Sequence, residues 1–328
     1  MYLGCPGNRA ETLQIRGLKI LPSPSRFSES NVPASLVVLR PFLELIRFSH
    51  TLFALPFALL STVMAMKLNR WAFRWQDGLG ILLCMVLARS AAMAFNRWAD
   101  RWIDAANPRT ADRHLPDGRL SARSVVLFTV ACSMGFIAST LIFLPNVIPL
   151  IASAPILVFL FGYSYAKRFT SFAHVWLGAA LMLAPLAAWI VIRPEFAWPP
   201  ILLGLAVLFW TTGFDLIYAC QDAEFDAGAN LHSVPGRYGI RTAFRLSVAA
   251  HAVTVAFLTA IPWVYQPFGL IFHCGVGIVA VILLTEHFLA GPRKDTALDL
   301  VKVNIAFFQM NVLVSVGLLA VGILDLVW

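Results

Sequence analysis

Charge is scarce in this chain: 13% of its 328 residues are Asp, Glu, Lys or Arg, 59% are hydrophobic, and the mean hydropathy is +0.76. A soluble domain of this length is excluded by that balance. Cysteine is scarce as well. Cys5, Cys84, Cys132, Cys220 and Cys274 are scattered without a CxxC pair, which argues against a disulfide framework or a zinc site and for packing roles. There is no HExxH, and Ser164 lacks a GxSxG context, so metalloprotease and serine hydrolase chemistry have no support. Residues 1–36 mix Pro, Ser, Gly and charge and lack a compact apolar signal core. They are expected to form a flexible cytoplasmic tail ahead of a single transmembrane domain, 37–328.

What the chain does have is long apolar runs separated by short polar breaks. A hydrocarbon core of roughly 30 Å needs about 20 residues of helix, and nine runs meet that need: 43–66, 78–98, 124–143, 147–165, 174–192, 199–219, 243–264, 268–290 and 303–327. The alternation of transmembrane strands is absent, and backbone satisfaction in lipid then leaves helices, so the expected fold is all-α with nine transmembrane helices. Basic residues set the orientation. Arg101, Arg109, Arg113, Arg119 and Arg123 follow the second run, Lys167 and Arg168 the fourth, Arg237 and Arg241 the sixth, and Arg293 and Lys294 the eighth. The alternate loops are poorer, Lys67, Arg70 and Arg74 being the exception. The N-terminus and the loops after even-numbered runs are therefore expected in the cytoplasm, with the protein in the inner membrane. The formal charge of +8 is accounted for by those flanking loops and does not point to nucleic acid.

Two acidic clusters stand at the ends of runs. Asn96, Asp100 and Asp104 are spaced by four and four; Asp215, Asp222 and Asp226 by seven and four. On continuous helices each set forms one stripe. Two carboxylates about 6 Å apart repel by nearly 3 kcal/mol at an effective dielectric near 20, so such stripes call for cations. Oxygen-rich sites with room for water and ligand oxygens suit Mg²⁺, commonly held by one or two carboxylates plus substrate phosphates. The guanidinium groups of Arg109, Arg113 and Arg168, with Lys167, lie on the same side and suit phosphate oxygens. Acids and cations together fit a metal-bridged diphosphate, and in a membrane a lipidic allylic diphosphate.

Ordinary structural explanations compete: topology and salt bridges for the arginines, capping or hydration for any one acid. Five acids and an asparagine in two matched stripes exceed what those supply. A cation-coupled transporter is the rival from another class; its carboxylates would be expected near the midplane of broken helices, whereas these lie at segment ends.

At these residues the chain resembles the UbiA superfamily of intramembrane aromatic prenyltransferases. Asn96-x-x-x-Asp100-x-x-x-Asp104, the following Asn107-Pro108-Arg109-Thr110 and Leu115-Pro116-Asp117-Gly118-Arg119 resemble its first motif region, and Asp222-x-x-x-Asp226, preceded by Asp215 and Tyr218, its second. Arg97, the stretch from Tyr163 to Thr170, and Leu231-His232-Ser233-Val234-Pro235 resemble the 4-hydroxybenzoate polyprenyltransferase-like branch, which includes members assigned to the futalosine route to menaquinone. Arg97 and Asp112 stand where the family often has Asp and Asn; both neighbour the metal positions and bear on the acceptor.

The resemblance implies a U-shaped bundle with the motifs facing each other over a cavity, and Mg²⁺ as cofactor. It implies Asn96, Asp100, Asp104, Asp222 and Asp226 as metal and diphosphate ligands, Arg109, Arg113, Lys167 and Arg168 as diphosphate partners, and Asp215 as support for acceptor or metals. Arg47 is assigned to an acceptor carboxylate and Tyr163 to the cavity wall. The expected activity is transfer of a polyprenyl group from polyprenyl diphosphate to an aromatic acid, 4-hydroxybenzoate or a related dihydroxynaphthoate, in ubiquinone or menaquinone biosynthesis. Protohaem, homogentisate, chlorophyllide and glycerol-phosphate lipids are the alternative acceptors.

Overall fold

The long apolar runs become helices because hydrocarbon offers the backbone no partner but itself. In the computed structural model, residues 41–42, 44–45, 53–70, 73–291 and 300–328 are described, and Pro41–Trp328 forms one unit. Its long helices are α1 (Leu55–Leu68), α2 (Trp75–Ala99), α3 (Ala122–Thr140), α4 (Ile148–Ala166), α5 (Ala173–Ile192), α6 (Trp198–Ala219), α7 (Ile240–Val264), α8 (Leu270–Ala290) and α9 (Asn311–Val327). Shorter helical turns are named below by their residues. No strand occurs among the described residues.

Eight helical stretches are long and apolar enough to cross a membrane, and α1, of 14 residues, falls short of that length. The expected ninth span is thus only partly represented. The N-terminal tail, Cys5, Arg47, Arg293 and Lys294 lie outside the described residues. The other eight expected spans each coincide with a helix or helical stretch to within a few residues. Local chemistry explains several boundaries. Proline stands in the first helical turn of α1, α4 and α6, where its missing N–H costs nothing. Ser121 accepts from the Ser124 N–H at 3.0 Å and caps α3.

Helices α5, α6 and α7 pack side by side, α1 lies on α5 and α9, α2 packs on α3 and α4, and α8 on α9. Since lipid tails are as apolar as leucine, dispersion and close approach hold this arrangement rather than water exclusion. Glycines make the approach possible. A Cβ on Gly178 of α5 would run into the Leu208 carbonyl of α6, one on Gly204 of α6 into Met182, and one on Gly213 of α6 into the His251 ring of α7. All three serve contacts within the bundle. Around them an aromatic core gathers Phe53, Phe57, Trp210 and Phe214, with the Phe57 and Trp210 centroids 5.0 Å apart.

The two faces of the bundle differ as the basic loops imply. On one face the connections after α2, α4 and α6 are joined: Arg168 donates to Ala99 O at 2.6 Å, the His232 N–H to Lys167 O at 2.7 Å, and Asn107 to Asp222 at 3.0 Å. On the other, Lys67 donates to Leu326 O and Asn146 to Ile190 O.

Candidate active site

Each acidic stripe is interrupted where the sequence suggests continuity. Helix α2 ends at Ala99, Asp100 takes φ −90° and ψ 3°, and a short helix, Arg101–Ala106, follows. After α6, a 3-10 turn over Cys220–Asp222 leads into the helix Ala223–Gly228. The expectation of uninterrupted stripes is corrected to helices broken beside the acids. The breaks are mild, since the Asp100 N–H still reaches Asn96 O and the Asp104 N–H reaches Asp100 O at 2.8 Å.

Asn96, Asp100, Asp104, Asp215, Asp222 and Asp226 nevertheless line one cavity of about 270 Å³, together with Arg109, Arg113, Lys167 and Tyr163. Arg168 borders it through Asp100, and Arg47 is outside the described residues. Phe53, Met93, Leu177, Leu181, Phe214 and Phe307 supply an apolar wall. A smaller cavity of about 190 Å³ shares Arg97, Asp104 and Arg113 with it.

Within this arrangement acids and cations are paired with each other. Asp100 lies 3.6 Å from Lys167 Nζ and 3.2 Å from Arg168 Nη2; Asp104 accepts from Arg113 Nη1 at 2.7 Å. Asp222 accepts from Arg109 Nε at 2.7 Å and also from Arg109 Nη2, a two-pronged pair of the kind guanidinium geometry favours. Burial works against the charge on Arg109, but the hydrogen-bonded Asp222 carboxylate holds its pKa above the ordinary value.

The Asn-Pro-Arg-Thr segment builds that pair. Asn107 Oδ1 accepts from the Arg109 N–H at 3.0 Å, an Asx-type turn that aims Arg109, while Asn107 Nδ2 donates to Asp222. Thr110 Oγ1 closes the loop onto Asp104 O at 3.0 Å. Arg109 also meets the Tyr218 hydroxyl at 3.4 Å, and Tyr218 lies 4.1 Å from Phe307 between ring centroids. Phe307 is carried by a π-helical turn, Ala306–Met310, where Asn311 Nδ2 bonds the Ala306 and Phe307 carbonyls.

Sequence reasoning missed several residues here. His174, at the start of α5, holds Asp215 Oδ2 at 2.7 Å and accepts from the Val234 N–H at 3.4 Å through its other nitrogen. No spacing in the chain connects those three positions. Asn107 was legible only as part of a loop, and Arg89, inside α2, also lines the cavity.

The donor set is hard oxygen, which suits Mg²⁺. Asp104 Oδ2 is buried without a hydrogen bond, with Arg97 Nη1 4.0 Å away, and is an acceptor of the kind a cation would use. No three His, Cys, Asp or Glu side chains are gathered into a ready cage among the described residues. Sites that draw the rest of their oxygens from water and diphosphate do not need one.

Together the bundle and cavity define an integral, multi-pass membrane protein with a chamber that is polar at one membrane face and apolar beyond it. The sequence profile of the UbiA prenyltransferase family matches residues 54–312, and the chain belongs to that family. It is similar to a 4-hydroxybenzoate octaprenyltransferase from Methylobacillus flagellatus, 29% identical over 227 residues that cover 67% of this chain and 74% of that protein. It is also similar to a protoheme IX farnesyltransferase from Thioalkalivibrio sulfidiphilus, 29% identical over 61% of this chain and 67% of that one. Among solved structures, the apo UbiA homologue from Aeropyrum pernix K1 superposes with a TM-score of 0.72 at 29% identity, covering 84% of this chain and 97% of the other. A UbiA homologue from Archaeoglobus fulgidus, solved with DMAPP and Mg²⁺, shares the fold at TM-score 0.64 and 19% identity over 88% and 99% of the chains. The protein is a UbiA-type prenyltransferase, and the transporter alternative loses its basis.

Proposed function

We propose that the protein transfers a polyprenyl group from polyprenyl diphosphate to an aromatic acid, 4-hydroxybenzoate or a related dihydroxynaphthoate, in quinone biosynthesis. One observation carries the reading: both acidic motifs and their cations line a cavity whose remaining wall is apolar. A diphosphate head, an isoprenoid tail and an aromatic ring each have matching surroundings there. Relatives of similar identity named for 4-hydroxybenzoate support it, as does the Mg²⁺ and DMAPP bound by the A. fulgidus homologue.

Asn96, Asp100, Asp104, Asp222 and Asp226 would hold Mg²⁺, which when bound supplies positive charge against the departing diphosphate. Arg109, Arg113, Lys167 and Arg168 bind the diphosphate oxygens. These cations already occupy the chamber as partners of Asp100, Asp104 and Asp222, so binding exchanges carboxylate for phosphate rather than recruiting charge from afar. The allylic C–O bond breaks as the cations stabilise the leaving group. The ring carbon beside the acceptor's hydroxyl forms the new C–C bond, and Asp215, oriented by His174, takes the proton lost from that carbon. Tyr163, which lines the same cavity as Asp215 and Asp100, borders the acceptor. Diphosphate and the prenylated acid leave. The cavity mouth and the N-terminal tail, 1–36, face the cytoplasm in this reading, with the membrane domain occupying 37–328.

The test is to incubate membranes containing the expressed protein with Mg²⁺, a long-chain polyprenyl diphosphate and, separately, 4-hydroxybenzoate, 1,4-dihydroxy-2-naphthoate or protohaem, and to analyse lipid extracts by mass spectrometry. A prenylated aromatic acid, absent with Asp100→Asn membranes, is the expected result. A prenylated haem, or no product from any aromatic acid with folded protein, would refute the acceptor assignment.

A further inference from the structure

A carboxyl group inside a membrane-crossing helix marks function by default, and Glu286, in the last turns of α8, is one. It is fully buried, and among the described residues its one hydrogen-bond partner is Asn311 of α9, whose Nδ2 lies 3.4 Å from Oε1. Glu286 Oε2 and Asn311 Oδ1 are both buried without a donor. Burying such groups costs more than filling the seam between two helices with apolar side chains, so the pair calls for a purpose beyond packing.

Asn311 shows what that purpose is. Its Nδ2 reaches carbonyls four and five residues back, Phe307 O at 3.0 Å and Ala306 O at 3.3 Å, and so enters the backbone ladder where the π-helical turn Ala306–Met310 departs from α geometry. Buried positions record the departure. Val303 and Ala306 are three apart, and Asn311, Val314, Leu318, Gly322 and Leu326 follow one another at three or four, but Ala306 and Asn311 are five apart. The turn holds one residue more than an α-helix needs, and one residue is about 100° of rotation. Val303 and Ala306 thus pack at the end of α6 while Val314 and Leu318 join the aromatic core, and Phe307 is aimed into the cavity.

From Phe307 the contacts run without a gap to the diphosphate end of the chamber. Its ring lies against Tyr218, and against Phe53 and Phe214 at 5.6 and 5.5 Å between centroids. The Tyr218 hydroxyl accepts from Arg109 Nη1, and the Tyr218 ring centroid is 5.7 Å from Arg109 Cζ. Arg109 in turn grips Asp222. Were the turn to relax to α geometry, Phe307 would swing by about 100° and Tyr218 would lose the ring that backs it.

We propose that the buried Glu286–Asn311 pair is a positioning device for the prenyl diphosphate: it holds the π-helical turn in which Phe307 braces Tyr218, and through Tyr218 it sets the Arg109 guanidinium. The proposal rests on Arg109 as a diphosphate partner in the reading above and is independent of which acceptor is used. Glu286 and Asn311 touch no substrate in this scheme. They act through Phe307 alone.

Full-length protein in lipid nanodiscs provides the test. Equilibrium binding is measured for radiolabelled farnesyl diphosphate with Mg²⁺ and, separately, for whichever of 4-hydroxybenzoate and 1,4-dihydroxy-2-naphthoate the wild type binds. Asn311→Leu and Glu286→Leu should weaken farnesyl diphosphate binding by about 5- to 20-fold, the loss expected of one or two hydrogen bonds, and leave aromatic-acid binding within about twofold. In steady-state assays the polyprenyl diphosphate KM should rise by the same factor while the acceptor KM does not. Glu286→Gln should bind like wild type, since an amide at that position offers Asn311 both an acceptor for Nδ2 and a donor for Oδ1. In a Phe307→Ala background, Asn311→Leu should add less than about twofold, because its effect passes through that ring. Deleting Gln309, which is exposed within the turn, gives Ala306 and Asn311 a four-residue spacing and keeps both buried faces in register. That variant should fold and yet bind farnesyl diphosphate as weakly as Asn311→Leu.

Unchanged farnesyl diphosphate binding in Asn311→Leu, equal losses for both ligands, or a full additional loss in the Phe307→Ala background would each overturn the assignment. So would a Glu286→Gln variant as impaired as Glu286→Leu. Should the leucine variants not fold, the Gln309 deletion decides by the same two binding measurements. Asn311-dependent farnesyl diphosphate binding without any prenylated aromatic acid would instead defeat the proposed function and leave the positioning role standing. Product formation with an unchanged polyprenyl diphosphate KM in Asn311→Leu would do the reverse.

Discussion

Removing either partner of the Arg109–Asp222 pair should loosen the loop after α2 from the end of α6, and the cost can be bounded from the geometry. The side chains are 28% and 19% exposed, so the pair is neither a surface bridge nor a dry one. Fully buried pairs lose about 3–5 kcal/mol when one member is removed, and exposed pairs about 0.2–1 kcal/mol. At about 4 Å the Coulomb term runs from about 1 kcal/mol at bulk dielectric to about 4 kcal/mol at an effective value of 20. Intermediate exposure and the retained Asn107 hydrogen bond place Arg109→Met and Asp222→Asn at about 1–2 kcal/mol each. Because both delete the same contact, the double variant should cost little more than either, giving a coupling energy of about 1–2 kcal/mol. The measurement is a double-mutant cycle by SDS-titrated unfolding in mixed micelles, with amide exchange of residues 107–121 as a local readout. A coupling below about 0.3 kcal/mol, or unchanged exchange in both single variants, would refute the idea that this pair latches the loop.

Chelation of divalent ions with EDTA should abolish product formation, and readdition of Mg²⁺ should restore it; turnover that persists in EDTA would contradict the metal-dependent mechanism. His174→Ala leaves the Asp215 carboxylate without its 2.7 Å partner and is expected to cost about 1–3 kcal/mol of stability. The same variant should raise the acceptor KM more than the diphosphate KM in steady-state assays, and equal effects on both would argue against a positioning role. Gly213→Ala drives a methyl group into the His251 ring and should destabilise the α6–α7 contact by about 1–3 kcal/mol, read as a lower midpoint of SDS unfolding. Gly277→Ala, with open space at its Cβ, is the control and should leave that midpoint nearly unchanged.

Much of the chamber was legible in the chain because helical periodicity converts spacing into direction. Asn96, Asp100 and Asp104 had to share a face if they lay on helix, and the interruption at Asp100 was too small to undo that. Arg109 was legible as a cation beside the acids. That it grips Asp222, across 113 residues, depends on an Asx turn at Asn107 and on which helix end lies opposite. The same limit applies to His174: its role follows from α5 and α6 starting and ending at one level, which no local pattern records.

What the sequence by itself determined was the membrane class, most of the spans, the oxygen-rich motifs and the family resemblance, since hydropathy and short motifs are local properties of the chain. Tertiary structure decided which charges meet. It made Gly178, Gly204 and Gly213 points of close contact within the bundle, where backbone or side chains would block a Cβ. It also placed Arg89 in the chamber wall, its Nε buried without a hydrogen bond among the described residues. Solvation and pairing are long-range properties: a charge is cheap or costly according to what the fold brings beside it, and neighbours along the chain do not fix that.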